Sequence, residues 1–102
     1  MVDLNPFKDL LIIDASTVLA GPSVGTFFAE LGAKVIKIEN KTIPDVTRSW
    51  KLPSEDPDSS ISAYFSSINY NKEYLQLNLK DAGDRELFVN LTNKADMLIS
   101  NF

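Results

Sequence analysis

A chain of 102 residues with a formal charge of −4 holds at most one small domain, burying about two-thirds of its extended-chain surface around a single modest core. Its 44% hydrophobic and 24% charged residues exclude a disordered, collagen-like or coiled-coil chain. With neither Cys nor His, a structural zinc centre, an iron–sulfur cluster, a thiol nucleophile, a disulfide framework and a Ser-His-Asp triad within the chain are excluded, so any chemistry falls to carboxylates, amines, hydroxyls or backbone.

Met1 to Lys8 lacks the basic stretch and long apolar run of a signal peptide. No segment approaches the roughly 20 apolar residues of a membrane span, and a cytoplasmic protein that binds neither membrane nor nucleic acid is expected. The apolar run from Leu10 to Asp14 reads as a strand covered on both faces. After the turn-prone Ala20-Gly21-Pro22-Ser23, the spacing of Val24, Phe27, Phe28 and Leu31 predicts a helix over about Pro22 to Leu31, buried by that stripe and stopped at Gly32. Lys34 to Glu39 reads as a second strand, completing a right-handed βαβ unit. From Asn40 to about Ser62, three prolines with Ser and Asp predict a long loop, of the kind that is usually functional or mobile. A short helical turn within Ile61 to Ile68, a strand over Tyr74 to Leu79, a helix over Asp81 to Asn93 with a capping box from Asp81 to Asp84, and a strand over Met97 to Ser100 follow. The fold class is therefore α/β, with a parallel sheet of about four strands. Two helices can cover one face of such a sheet properly and the other only in part, so the chain is expected to be an N-terminal piece or to bury its open face against a partner.

Ligands of open α/β sheets bind beyond the C-terminal strand ends, which directs attention to the residues after Asp14, Ile38, Leu79 and Ser100. The first of these turns leads into a helix N-terminus that favours an anion, although Gly21 and Pro22 equally suit a plain tight turn. Glu39 stands eighteen positions after Gly21, where a ribose-binding acid would sit, but Gly21 to Thr26 lacks the second glycine of a dinucleotide fingerprint. Lys37, Lys41, Arg48 and Lys51 flank the long loop, and together they could neutralise a phosphorylated ligand or simply be solvated charge. Trp50 in that loop is either a lid on the core or a stacking platform. Asn69-Tyr70-Asn71-Lys72 could bind a nucleotide or cap a turn.

Five segments in order carry a more specific signal: Leu19-Ala20-Gly21-Pro22; Glu30 to Glu39; Asp45-Val46-Thr47-Arg48-Ser49-Trp50; Asn69-Tyr70-Asn71-Lys72; and Ala95 to Phe102. They resemble successive motifs of the class III CoA-transferases, the family of formyl-CoA transferase and the carnitine and bile-acid CoA-transferases. The resemblance implies a Rossmann-like, CoA-binding N-terminal segment of a cytoplasmic, homodimeric enzyme that moves CoA between carboxylic acids, with acyl-CoA as substrate and no metal. It also implies chemistry by an aspartate that forms a mixed anhydride and then an aspartyl-CoA thioester, which suits a chain without Cys or His. That nucleophile would lie beyond Phe102, so that none of Asp3, Asp9, Asp14, Asp45, Asp81, Asp84 and Asp96 corresponds to it. By the same resemblance Leu19 and Ala20 would contact CoA at the first turn, and Asn40 stands where some members use an Arg for the adenosine end. Leu77, Asn78, Leu79 and Lys80 would wall the adenine, with Lys80 as the charged contributor, and Asn101 and Phe102 would line the pantetheine path. Trp50 would wall the acyl pocket and Arg48 would brace its loop. Leu19 stands where formyl-CoA transferase has Gln, Asn78 where an Asp is common, and Ser100 where a Glu is common. A free-standing nucleotide-binding or interaction module without catalysis is the alternative.

Overall fold

The computed structural model describes residues 4–102; Asp3 lies outside them. Its elements are β1 (Leu11–Ala15), α1 (Ala20–Glu30), β2 (Lys34–Asn40), a 3-10 turn (Val46–Ser49), α2 (Ala63–Ile68), β3 (Glu73–Leu77), α3 (Ala82–Lys94) and β4 (Met97–Ser100). The four strands form one open parallel sheet in the order β3-β2-β1-β4. The order of elements is that expected from the sequence. β3 stops at Leu77 rather than Leu79, because Asn78 and Leu79 turn toward α3: the Asp81 N–H donates to the Asn78 carbonyl at 2.9 Å.

The two long helices lie on opposite faces of the sheet, and α3 covers its face only in part, with no buried residue. Ile12, Ala29, Ala33 and Val35 form a core under α1, whereas Ile13, Ala15, Ile38 and Leu77 form a second on the opposite face with Phe88 and Leu91 of α3. The cause is topological. The chain steps from β1 outward to β2 and β3, then returns across the sheet to β4, and right-handed crossovers in opposite directions put their helices on opposite faces. Strand β1, central and covered twice, buries Ile12 and Ile13 completely on opposite sides.

The inward face of α1 is also not the predicted one. Val24 and Phe27 are about half exposed, and the buried positions are Pro22, Gly25, Thr26 and Ala29. Small residues face inward because the helix lies against polar structure with no room for large ones. A Cβ on Gly25 would come within 2.9 Å of Asp14 Oδ2, and one on Gly21 would overlap the Ser16 side chain. Of the aromatics, Phe28 is partly buried against the core under α1, and it also packs with its neighbours along the N-terminal approach to β1, with the Phe7 and Phe28 ring centres 5.0 Å apart and those of Phe27 and Phe28 5.3 Å apart.

Candidate functional site

The strand order reverses beside β1, and open α/β sheets take ligands beyond the C-terminal strand ends at such a point; here β1 and β4 stay paired to their last residues, Ala15 and Ser100. Asn101 fastens the two ends together: its Nδ2 donates to the Thr17 carbonyl at 2.8 Å, and its Oδ1 accepts the Thr17 N–H at 3.1 Å. Next to this clamp is a cleft of about 270 Å³ lined by Ala15, Thr17, Ile38, Glu39, Asn40, Ile43, Leu77, Leu79 and Phe102. The fold thus brings Asn40, Leu77, Leu79 and Phe102 around one space, with Leu19 and Ala20 exposed on the neighbouring turn. Lys80 follows Leu79, is exposed, and makes no ion pair among the described residues. Asn78 is half-buried; its N–H donates to Asp84 at 2.8 Å while its Oδ1 accepts the Lys80 N–H at 3.1 Å. The Asn40 carboxamide oxygen is committed to the chain itself, accepting from the Thr42 N–H and hydroxyl, both at 2.8 Å, and from Ile43 N–H at 3.1 Å.

Arg48 and Trp50 do not border this cleft. The Arg48 guanidinium makes a two-pronged contact with the buried Glu39 carboxylate, at 2.9 Å from Nε and 2.7 Å from Nη2, and lies 3.8 Å from the centre of the Phe65 ring. Its hydrogen bond to Glu39, opposed by burial, raises the pKa of Arg48 further. Trp50 is 45% exposed and packs edge-on against Tyr64, 5.2 Å between ring centres, in a separate depression shared with Leu52 and Ala63.

Most of the basic segment is engaged within the chain, Arg48 with Glu39 among it. Lys37 is fully buried 2.9 Å from Asp45, Lys41 lies 3.5 Å from Asp84, and Lys51 donates to the carbonyls of Asp56 and Ser59. These side chains are therefore not a free cluster for a phosphorylated ligand. Glu39, held by Arg48 and by the Asp45 N–H at 3.2 Å, offers no free carboxylate to a ribose. Among the described residues no group of three or more Asp and Glu side chains could hold a metal ion.

Sequence reasoning missed the polar layer beneath the site. Lys72 is buried and donates to Asp14, to the Pro22 carbonyl and to Asn69 Oδ1, each at 2.8 Å. Burial lowers its pKa, and the Asp14 carboxylate only partly offsets this. Burial also raises the pKa of Asp45, but the Lys37 ammonium and the Thr47 N–H and hydroxyl outweigh it, leaving the carboxyl below its ordinary value. The available signal was alternation: Val35, Lys37 and Glu39 share one face of β2, so two charges continue a core-facing row. The described carboxylates each have structural partners or lie away from the cleft. Asp14 and Asp45 are paired internally, Asp81 caps α3, and Asp9 and Asp96 precede β1 and β4 at the other sheet edge.

The sequence model of CoA-transferase family III matches residues 7–102. An acetyl-CoA:oxalate CoA-transferase of Acetobacter aceti is 45% identical over 98 residues, which is 96% of this chain and 24% of that protein. A formyl-CoA:oxalate CoA-transferase of Escherichia coli O6:H1 is 37% identical, with 96% of this chain and 23% of that protein covered. A crystal structure of a CAIB/BAIF family protein from Brucella suis superposes with a TM-score of 0.84 at 33% identity, over 96% of this chain and 26% of that one. The chain thus spans about a quarter of the length of the relatives it matches.

Proposed function

The chain belongs to CoA-transferase family III, and on that premise we propose that its C-terminal sheet edge is the CoA-binding part of an enzyme that transfers CoA from an acyl-CoA to a carboxylic acid. The observation that carries this reading is the cleft over the C-terminal ends of β1, β2 and β3, where Asn40, Leu77, Leu79 and Phe102 converge and whose rim residue Thr17 leads into the exposed Leu19 and Ala20. Its apolar lining suits the flat adenine or the pantetheine arm, and Lys80, in the turn between β3 and α3, supplies an ammonium for a phosphate. Leu19 and Ala20 stand at the start of α1, where no side chain caps the first N–H groups, leaving those donors to a ligand.

In this proposal the chemistry is carried by an aspartate outside these residues, which attacks the thioester carbonyl of acyl-CoA. The carbonyl carbon bonds to the carboxylate and CoA leaves as thiolate. The thiolate then attacks the aspartyl carbonyl of the anhydride, releasing the donor acid and giving aspartyl-CoA. The acceptor carboxylate attacks that thioester, and the returning thiolate takes the acyl group from the second anhydride and frees the aspartate. Arg48 serves by fixing the loop that carries Trp50, and Trp50 borders the acyl group. The working protein is a cytoplasmic homodimer.

Calorimetric titration of the chain with CoA and, separately, with NAD tests the reading. CoA is expected to bind and NAD is not, and Lys80→Ala is expected to weaken CoA binding by roughly threefold to tenfold. Binding of NAD without CoA overturns it.

A further inference from the structure

Of the charge pairs beneath the site, one touches both of the segments that border it. Lys37 Nζ donates to the Ser16 carbonyl at 2.9 Å and lies 2.9 Å from Asp45 Oδ2, with both side chains fully buried. Asp45 Oδ1 accepts the Val18 N–H at 3.4 Å, the Thr47 N–H at 3.0 Å and the Thr47 hydroxyl at 2.8 Å. One ammonium and one carboxylate therefore grip the β1–α1 turn on both sides of Thr17 and, at the same time, the start of the 3-10 turn that leads to Trp50. Val18 has φ of +73°, a left-handed conformation that a β-branched residue keeps only where its surroundings hold it.

Resting on the reading of this edge as the CoA site, we propose that Lys37 and Asp45 are positioning residues that lock the Ser16–Val18 turn and the Asp45–Trp50 segment into one unit, so that the turn meets CoA preformed. Neither charge touches the substrate, since both are sealed from solvent. A buried ion pair is a poor source of net stability, because a well-packed apolar pair does as well. What an apolar pair lacks is direction. Here the two charged groups address the backbone of Ser16, Val18 and Thr47, three points on two segments that are otherwise separate in sequence. Holding a binding turn in advance removes an ordering cost from association.

Native-state hydrogen exchange of the unaltered protein tests the lock without any ligand. The amides of Val18 and Thr47 are expected to open in one step with a common free energy and denaturant dependence. Opening with clearly different free energies overturns the proposal. The paired variant Lys37→Met with Asp45→Asn removes both charges without stranding either. It is expected to speed exchange at Val18 and Thr47 by about tenfold or more while Ile13 and Val35 keep their rates, to expose Trp50 to acrylamide quenching, and to weaken CoA binding by about tenfold. A merely structural role would accelerate all core amides alike and leave CoA affinity of the folded fraction unchanged, and either result overturns the proposal. If the unaltered protein binds no CoA, the reading of the site fails, while the exchange measurements still decide the lock. If the paired variant does not fold, the exchange of the unaltered protein decides alone.

Discussion

Lys72 and Asp14 show most sharply how a single residue constrains this molecule. Both side chains are fully buried, and Lys72→Met would leave the Asp14 carboxylate without its counter-charge in a closed space. Loss of about 3–5 kcal/mol is expected, measured as a lowered midpoint and unchanged slope in urea unfolding. Gly25→Ala acts on the same spot by volume: its Cβ would press on Asp14 Oδ2 and Lys72 Nζ, and a loss of about 1–3 kcal/mol is expected by the same measurement. Asp45 gives a signed pH effect. Its folded pKa lies below the ordinary 3.8, so its contribution is complete above that value and is lost as pH falls through the lower folded value. Acid unfolding below about pH 4 should therefore be less steep in the Lys37→Met, Asp45→Asn variant than in the unaltered protein.

The two faces of the sheet are held unequally by their helices. α2 contributes Phe65, 2% exposed, wedged under Arg48 and beside Tyr74, and Phe65→Ala is expected to cost about 3–5 kcal/mol. α3 has no fully buried residue, and Leu87 is 42% exposed, so Leu87→Ala should cost less than about 1 kcal/mol by thermal melting. The start of α3 was legible locally because a cap is a contact between near neighbours: the Asp84 N–H donates to the Asp81 carboxylate at 3.0 Å, as expected. The return half of the predicted capping box is different, since the Asp84 carboxylate takes the Asn78 N–H rather than that of Asp81. The inward face of α1 was misread for a comparable reason. A hydrophobic stripe identifies a helix, but whether that stripe faces the sheet depends on what the sheet presents, and here β1 and β2 present Asp14 and Lys37, with Ser16 just beyond β1.

At the scale of the whole molecule, the radius of gyration of 14.5 Å exceeds the roughly 13 Å of a compact domain of this length. Leu87, Val89, Met97 and Leu98 remain exposed on and beside α3 and β4. Period and turn chemistry in the amino-acid sequence determined the element order and the parallel α/β class, because strands, helices and caps are set by residues close in the chain. The ordered motifs likewise marked CoA-transferase family III. Tertiary structure alone decided which helix covers which face, through the return of the chain across the sheet, and which charges are free. Lys72 meets Asp14 across 58 positions of sequence, and Lys37, Glu39 and Arg48 are consumed in buried pairs. Local pattern cannot reveal this, because a charge is solvated or buried according to partners that only folding brings within reach.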